Sequence, residues 1–585
     1  MSARLIAAVL LAVSCAPAQI PAQDSRNTYI PNTDTQFTPP TYKTLAEWQA
    51  RREHLRRQIL SATGLLPMPE KTPLHAQIFG RIENQTYSIE KVLLETMPGY
   101  YLGGNLYRPL KAAPAGGFPA IASPHGHWNY GRLEHTETAS VPARCINLAR
   151  QGYVVFAYDM VGYDDTVQTP HDFATARDYL WDFGPLALQL WNSIRVVDFL
   201  ESLPGVDPHK IGATGASGGG TQTFLLAAVD SRVAFDAPVN MLSTIMQGGS
   251  PCENMPNLRL DTFNVEIGAI MAPRPMMMVS ATGDWTRNTP RVEYPAIKAI
   301  YELYDRAANV DMVQIQAPHN YNKQSREAVY RFFGHHVLGE TDDARLVEKG
   351  IRVEKLGDML ALFNRKLPEN ALDLEGVRRE WIERGRAASS RATPAESREM
   401  LERALGAEWP GRVIAQMSGE RFLLSRDGRG DRVGGFWLQG QGTPVVFVHP
   451  DGAEAARQSP ELAALVKQGR PIYVVEAFQT GAAVAPRKRD DKWFLTFNRS
   501  DDANRVQDIL TTIAWLKPAG VELAGVGKAA VWCQFAAAVA SGHVPVTFQS
   551  SLGGFGGADQ DYLDSFYVPG IQRAGGLAAA RALVK

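Results

Sequence analysis

The chain has 585 residues, 45% of them hydrophobic and 21% charged, with a formal net charge of −1 at pH 7. This length exceeds one ordinary domain, and the composition is that of a globular protein with ample material for a core. So balanced a charge lacks the electrostatic footprint of a nucleic-acid or anionic-membrane binder, and no nucleic acid is expected as a partner.

Residues 1–18 read as an export signal. Arg4 precedes the apolar run Leu5 to Val13, too short to span a bilayer, and Ala16-Pro17-Ala18 offers a cleavage pattern. The expectation is an exported chain, periplasmic or secreted, with no integral membrane segment. Cys15 adds a second reading: Ala12-Val13-Ser14-Cys15 resembles a lipoprotein box, with Ala12 in place of its usual leucine, which would put a lipid anchor on Cys15. Cys145, Cys252 and Cys533 remain after processing, an odd set without zinc-ribbon spacing.

After a Pro-rich entry, the apolar spacing predicts an amphipathic helix over Leu45 to Leu60. Gln77 to Tyr107, rich in Ile, Tyr, Val and Leu and broken at Pro98-Gly99, reads as strands. From Phe118 onward, short apolar strands alternate with helices. The strands are Ala120 to Ala122, Tyr153 to Ala157, Ile211 to Thr214, Met276 to Val279 and Met312 to Ile315. Leu186 to Leu203 is a helix with Leu186, Leu190, Ile194 and Val197 on one face. Such alternation predicts a mostly parallel sheet covered by helices on both sides, over residues 24–340.

A charged stretch, 341–408, is expected to be a helical connector, and 409–585 a second α/β domain. This domain echoes the first. Thr443 to Val446 leading to His449 matches Phe118 to Ile121 leading to His125, Pro471 to Val475 matches Gly152 to Val155, and Val521 to Ala540 matches the segment from Val206 through its Gly-rich turn. The echo predicts a diverged duplication.

The central motif is Gly215-Ala216-Ser217-Gly218-Gly219, a G-x-S-x-G between a strand and a helix. A serine on such a turn is held in a strained conformation at a helix N-terminus, where backbone N–H groups face developing negative charge. It needs a base, and the chain supplies carboxylate and imidazole in the order this arrangement requires. Asp284 follows one buried strand in Thr282-Gly283-Asp284-Trp285, and His319 follows the next in Ala317-Pro318-His319-Asn320. Asp159, Asp164 and Asp261 are the competing carboxylates. Oxyanion donors are expected at the N–H of Gly218 and at the N–H of His127 in the loop Ser123-Pro124-His125-Gly126-His127-Trp128. Trp128 and Trp285 are candidate substrate contacts. His125 and His127 could instead pair on a metal, but no third ligand stands nearby in sequence, so neither metal nor cofactor is expected.

Together, Val206 to Gly212 before the serine turn, the Pro-His-Gly-His-Trp loop, Ala272-Pro273-Arg274-Pro275 and Gly283-Asp284-Trp285-Thr286 resemble bacterial acetyl xylan esterase-like and dienelactone hydrolase-like α/β-hydrolases. The resemblance covers about Leu45 to Gly339. It implies an α/β-hydrolase fold and ester hydrolysis, often of acyl (acetyl) groups on plant polysaccharides, with Ser217, Asp284 and His319 at the triad positions. Serine peptidases and sugar-acid esterases share such folds. The second copy has Gly527 where the serine should stand, so it is expected to be degenerate and silent.

Two other classes compete. Thr214 to Gly220 with Tyr294 and Lys298 mimics a short-chain dehydrogenase, but several strands precede the turn, Thr221 replaces a glycine and Pro295 interrupts the Tyr–Lys helix. A non-catalytic carbohydrate-binding pseudo-hydrolase would fit the silent second copy, but not the complete serine, aspartate and histidine series of the first.

Overall fold

The computed structural model describes residues 23–584; the signal and lipid-anchor expectations, including Cys15, lie outside the described residues. Among the described residues sixteen strands form two sheets. The first holds β1 (Gln77–Glu83), β2 (Tyr87–Met97), β3 (Tyr100–Pro109), β4 (Phe118–Pro124), β5 (Val154–Tyr158), β6 (Val206–Ala216), β7 (Val233–Val239), β8 (Met276–Gly283) and β9 (Val310–Pro318). Their spatial order is β1-β2-β3-β5-β4-β6-β7-β8-β9. The β1, β2 and β3 strands are antiparallel, β3 joins β5 antiparallel, and every pairing from β5 to β9 is parallel. The burial follows from this. Edge strand β1 is exposed at alternate positions, whereas β4, in the middle of the parallel part, is buried along its whole length.

The expected elements recur with small changes of extent. The first long helix runs Leu45–Ala62 and starts at a Thr44/Glu47 capping box. The expected Leu186–Leu203 helix is Pro185–Ser202, opened by Pro185 at its first turn. It is buried almost all round rather than on one face, because it is sandwiched between the sheet and other helical elements. Strand β7 has no counterpart among the expected strands.

The second sheet holds β10 (Val413–Ser418), β11 (Arg421–Arg426), β12 (Val433–Leu438), β13 (Val445–Val448), β14 (Ile472–Glu476), β15 (Val521–Gly525) and β16 (Val546–Phe548). Its order, β10-β11-β12-β14-β13-β15-β16, repeats the first seven positions of the other sheet, with the same antiparallel edge and parallel continuation. The backbone at the serine turn is repeated too. Ser217 has φ 59° and ψ −126°, and Gly527 has φ 53° and ψ −128°. Among the described residues, nothing in the second sheet corresponds to β8 and β9.

The stretch between the sheets is less helical than its charge pattern suggests. Apart from two short turns its helices are Leu374–Ser390 and Pro394–Leu405. Part of the preceding segment is tied to the first domain, where the amides of Ala361 and Leu362 donate to the Asp165 carboxylate at 2.8 Å each. Val377 and Trp381 of the first helix join the first core, whereas Met400, Leu401, Ala404 and Leu405 of the second join the other. Arg573, buried, closes the junction by donating to the carbonyls of Gly64 (2.9 Å) and Pro67 (3.0 Å).

Candidate active site

The carboxyl ends of the parallel strands carry all the residues singled out by the motif. Ser217 caps the Gly218–Val229 helix directly after β6, half-buried and with positive φ. A non-glycine residue with these angles stores strain that the surroundings must hold. They do so by close approach. A Cβ at Gly215 would lie 2.6 Å from the Pro124 carbonyl oxygen, and one at Gly219 would lie 2.8 Å from the His125 carbonyl. These contacts explain why the turn is built of glycines.

Asp284 follows the end of β8 and is buried; His319 follows the end of β9. The His319 Nδ1–H donates to Asp284 Oδ2 at 2.9 Å. The other carboxylate oxygen of Asp284 accepts from the amide of Thr286 at 2.7 Å and from its hydroxyl at 2.5 Å. This leaves the carboxylate one direction in which to face the imidazole. The Nε2 of His319 is buried and has no hydrogen-bond partner among the described residues. An unpartnered buried ring nitrogen is costly unless a substrate or a reacting hydroxyl completes it.

The competing carboxylates are committed elsewhere. Asp159 pairs with buried Arg132, whose Nη1 also lies 3.5 Å from Asp164. Asp261 faces Arg499 at 3.2 Å and Arg429 at 3.4 Å. The rings of Trp285 and Trp128 flank His319, with centroids at 4.3 Å and 6.2 Å. The Trp285 indole N–H is fixed to the Asn240 carbonyl at 3.0 Å.

The loop after β4 passes over the serine turn. A Cβ at Gly126 would sit 3.1 Å from the Cβ of Ser217, and one at Gly218 would sit 2.7 Å from Cε1 of His127. The His127 segment is therefore packed directly against the first turn of the serine helix, whose leading N–H groups have no acceptor within the helix. The His125 side chain turns away: its Nδ1 bonds the Gly126 carbonyl at 2.7 Å and its Nε2 accepts from the Met160 amide at 2.9 Å. Both nitrogens of His125 are in use, which speaks against the competing reading of a His125–His127 pair on one ion. Burial holds His125 down at about 3 and His127 down at about 4, so both rings are neutral near pH 7.

Thr286, which orients Asp284, and Asn240, which holds Trp285, carry no motif that would have marked them in sequence. The same is true of His171 and Cys252, whose side chains meet His127 from distant loops.

Residues 135–241 match the family model described as the Dienelactone hydrolase family. That segment includes Ser217 but neither Asp284 nor His319. Over 259 residues the chain is 26% identical to the Bacillus subtilis (strain 168) protein named "Putative hydrolase YtaP", covering 41% of this chain and 83% of that protein. Among solved structures it is similar to Methylesterase BT1017, with 29% identity, a TM-score of 0.50, and coverage of 61% of this chain and 77% of the other. A Bacteroides fragilis structure described as "a putative acetyl xylan esterase" shares 14% identity at a TM-score of 0.40, over 56% of this chain and 89% of the other. Among the described residues no helix is long and apolar enough to cross a membrane.

Proposed function

We propose that this chain, a hydrolase of the dienelactone hydrolase and carbohydrate esterase type, is an exported serine esterase acting on acyl esters of plant polysaccharides or their oligosaccharides. The observation that carries this reading is the His319–Asp284 bond of 2.9 Å, which leaves the second nitrogen of His319 buried and unpartnered on the same rim as the strained Ser217. In the proposed reaction, His319 Nε2 takes the Ser217 hydroxyl proton as Oγ adds to the ester carbonyl. The oxyanion is held by the N–H groups of His127 and Gly218. His319 then returns the proton to the departing alcohol, leaving an acyl-serine. Water, deprotonated by the same nitrogen, releases the acid. Asp284 keeps the proton of His319 on Nδ1 and stabilises the imidazolium that forms in each half-reaction.

The likeness to a methylesterase favours a second substrate: a methyl ester of a sugar acid, in which the carbohydrate supplies the acyl group. A panel of acetylated xylan, methyl glucuronate ester, feruloyl ester and small aryl esters separates the two. Preference for acetylated xylan supports the first and preference for the methyl ester the second. Turnover of none of them contradicts an esterase.

His127 can be tested apart from its backbone. Because the proposed donor is main chain, His127→Ala should stay within about tenfold of normal turnover, whereas losing an oxyanion donor costs about 10²–10³. A loss of that larger size on purified, folded protein would mean that the imidazole itself takes part.

The second sheet is proposed to be silent, and its topology supplies the reason. A Cβ at Gly527 would meet nothing within 4 Å, so a serine fits there sterically. Among the described residues, the strands that would bring an acid and a base to it have no counterpart. His543 stacks on Trp409 with ring centroids 4.2 Å apart, and His449 accepts from the Asp451 amide at 3.2 Å. Accordingly, Gly527→Ser should leave total hydrolysis unchanged, and adding it to Ser217→Ala should rescue nothing. Recovered turnover in that double variant would expose a second reaction centre.

A further inference from the structure

We propose that His127, His171 and Cys252 form a three-ligand binding site for a borderline-soft divalent cation, zinc(II) in the first instance, on the strand-end rim beside Ser217. The three residues come from three separate loops at the carboxyl ends of β4, β5 and β7. Their ligand atoms nevertheless converge: His127 Nε2 lies 3.1 Å from His171 Nε2 and 3.1 Å from Cys252 Sγ. All three donor atoms lie within 4.8 Å of one another. Tetrahedral zinc, with metal–nitrogen bonds of about 2.0–2.1 Å and a metal–sulfur bond of about 2.3 Å, sets two nitrogens about 3.3 Å apart and a nitrogen and sulfur about 3.6 Å apart. The two pairs made by His127 fall a few tenths of an ångström short of those separations, and the His171–Cys252 pair lies within 4.8 Å.

The hydrogen bonds around the rings suit a ligand set. His171 Nδ1–H donates to the Val161 carbonyl at 2.7 Å, which leaves the Nε2 lone pair facing the cluster. A backbone acceptor on the second nitrogen is the arrangement that orients histidine ligands in metal sites. His127 Nε2 meets both other ligand atoms at hydrogen-bond distance, so an ion entering the cluster would replace those contacts. Cys252 is fully buried. Coordination would displace its proton to solvent, converting Cys–SH and M²⁺ into Cys–S–M⁺ and H⁺. The N₂S donor set is too soft for calcium or magnesium and suits zinc. His127 and His171 are half-buried while Cys252 is fully buried, so the cluster has a solvent side, and three ligands leave a fourth position for water or a substrate oxygen. The neighbouring grouping of His125, Asp159 and Asp164 does not compete, since His125 Nε2 is taken by the Met160 amide and Asp159 by Arg132.

This assignment goes beyond the esterase reading and does not depend on it, since its readouts are bound metal and a spectrum. The full chain, stripped with chelator, is titrated with zinc(II) and dialysed, and in parallel loaded with cobalt(II). The expected result is one tightly held equivalent of zinc and a thiolate-to-cobalt charge-transfer band. His171→Ala and Cys252→Ala should each weaken zinc binding by more than ~100-fold, since even partners outside the ligand set cost about 10–100-fold. Cys252→Ser should lose the thiolate band, which separates loss of a ligand from loss of the fold. Ser217→Ala, and His335→Ala at an exposed histidine elsewhere, should bind zinc normally. No retained zinc, equal retention by Cys252→Ala, or a cobalt spectrum without the thiolate band would overturn the proposal.

Discussion

Ser217→Ala and His319→Ala are each expected to lower ester turnover by about 10⁴-fold or more, and the double variant by little beyond either alone. In the proposed mechanism the two side chains act in one proton transfer, so removing either abolishes the same step. Asp284→Asn should be severe but milder, because the carboxylate orients and stabilises rather than reacts. The Thr286 amide and hydroxyl would still hold the substituted side chain in place, although its amide group could no longer accept the His319 proton in the same way. Steady-state kinetics on the four variants decides the matter. Near-normal turnover by Ser217→Ala would remove the serine mechanism, and losses that add between Ser217 and His319 would mean that the two work in different steps.

The second large effect is on stability and lies below the rim. Arg132 is fully buried, with its guanidinium pairing with Asp159 and Asp165 and its Nε donating to Asn105 Oδ1 at 2.8 Å. Asp159 also accepts from the Asp165 amide at 2.9 Å, and Asp165 receives the amides of Ala361 and Leu362. One guanidinium thus ties the loop after β5 to the segment beyond β9. Arg132→Ala leaves two buried carboxylates without their cation and should cost about 3–5 kcal/mol, the range for breaking a buried pair from one side. Arg132→Lys should rescue only part of this, because a single ammonium cannot reproduce the fork. Urea unfolding followed on the first domain is the measurement. An unshifted midpoint for Arg132→Ala would show that the carboxylates are satisfied without it.

Much of this architecture is visible in the residues themselves, for reasons that also explain the misses. The strands from Ala120, Tyr153, Ile211, Met276 and Met312 are compact apolar runs, so a buried parallel sheet announces itself. Strand β7 (Val233–Val239) carries Asp236 and Pro238, and these interrupt the apolar signature although Asp236 is wholly buried. The charged stretch after residue 340 has the composition of a helix, yet at Ala361 and Leu362 its amides bond to Asp165, a partner nearly 200 positions earlier in the chain. Ser217, Asp284 and His319 could be picked out because each follows a strand end, where the fold places side chains on one rim. The His171–His127–Cys252 contact could not, because its members come from loops with no common spacing and only the closing of the sheet brings them together. Among the described residues the second sheet lacks counterparts to β8 and β9, which gives the proposed silence at Gly527 a physical reason.

The most direct test of the central claim is active-site labelling with a fluorophosphonate, which reacts only with an activated serine. Incubation of the full chain followed by peptide mapping should place one adduct on Ser217. His319→Ala should lose the labelling, and Gly527→Ser should add no second adduct. A folded chain that stays unlabelled, or an adduct on another serine that persists in Ser217→Ala, would contradict the account.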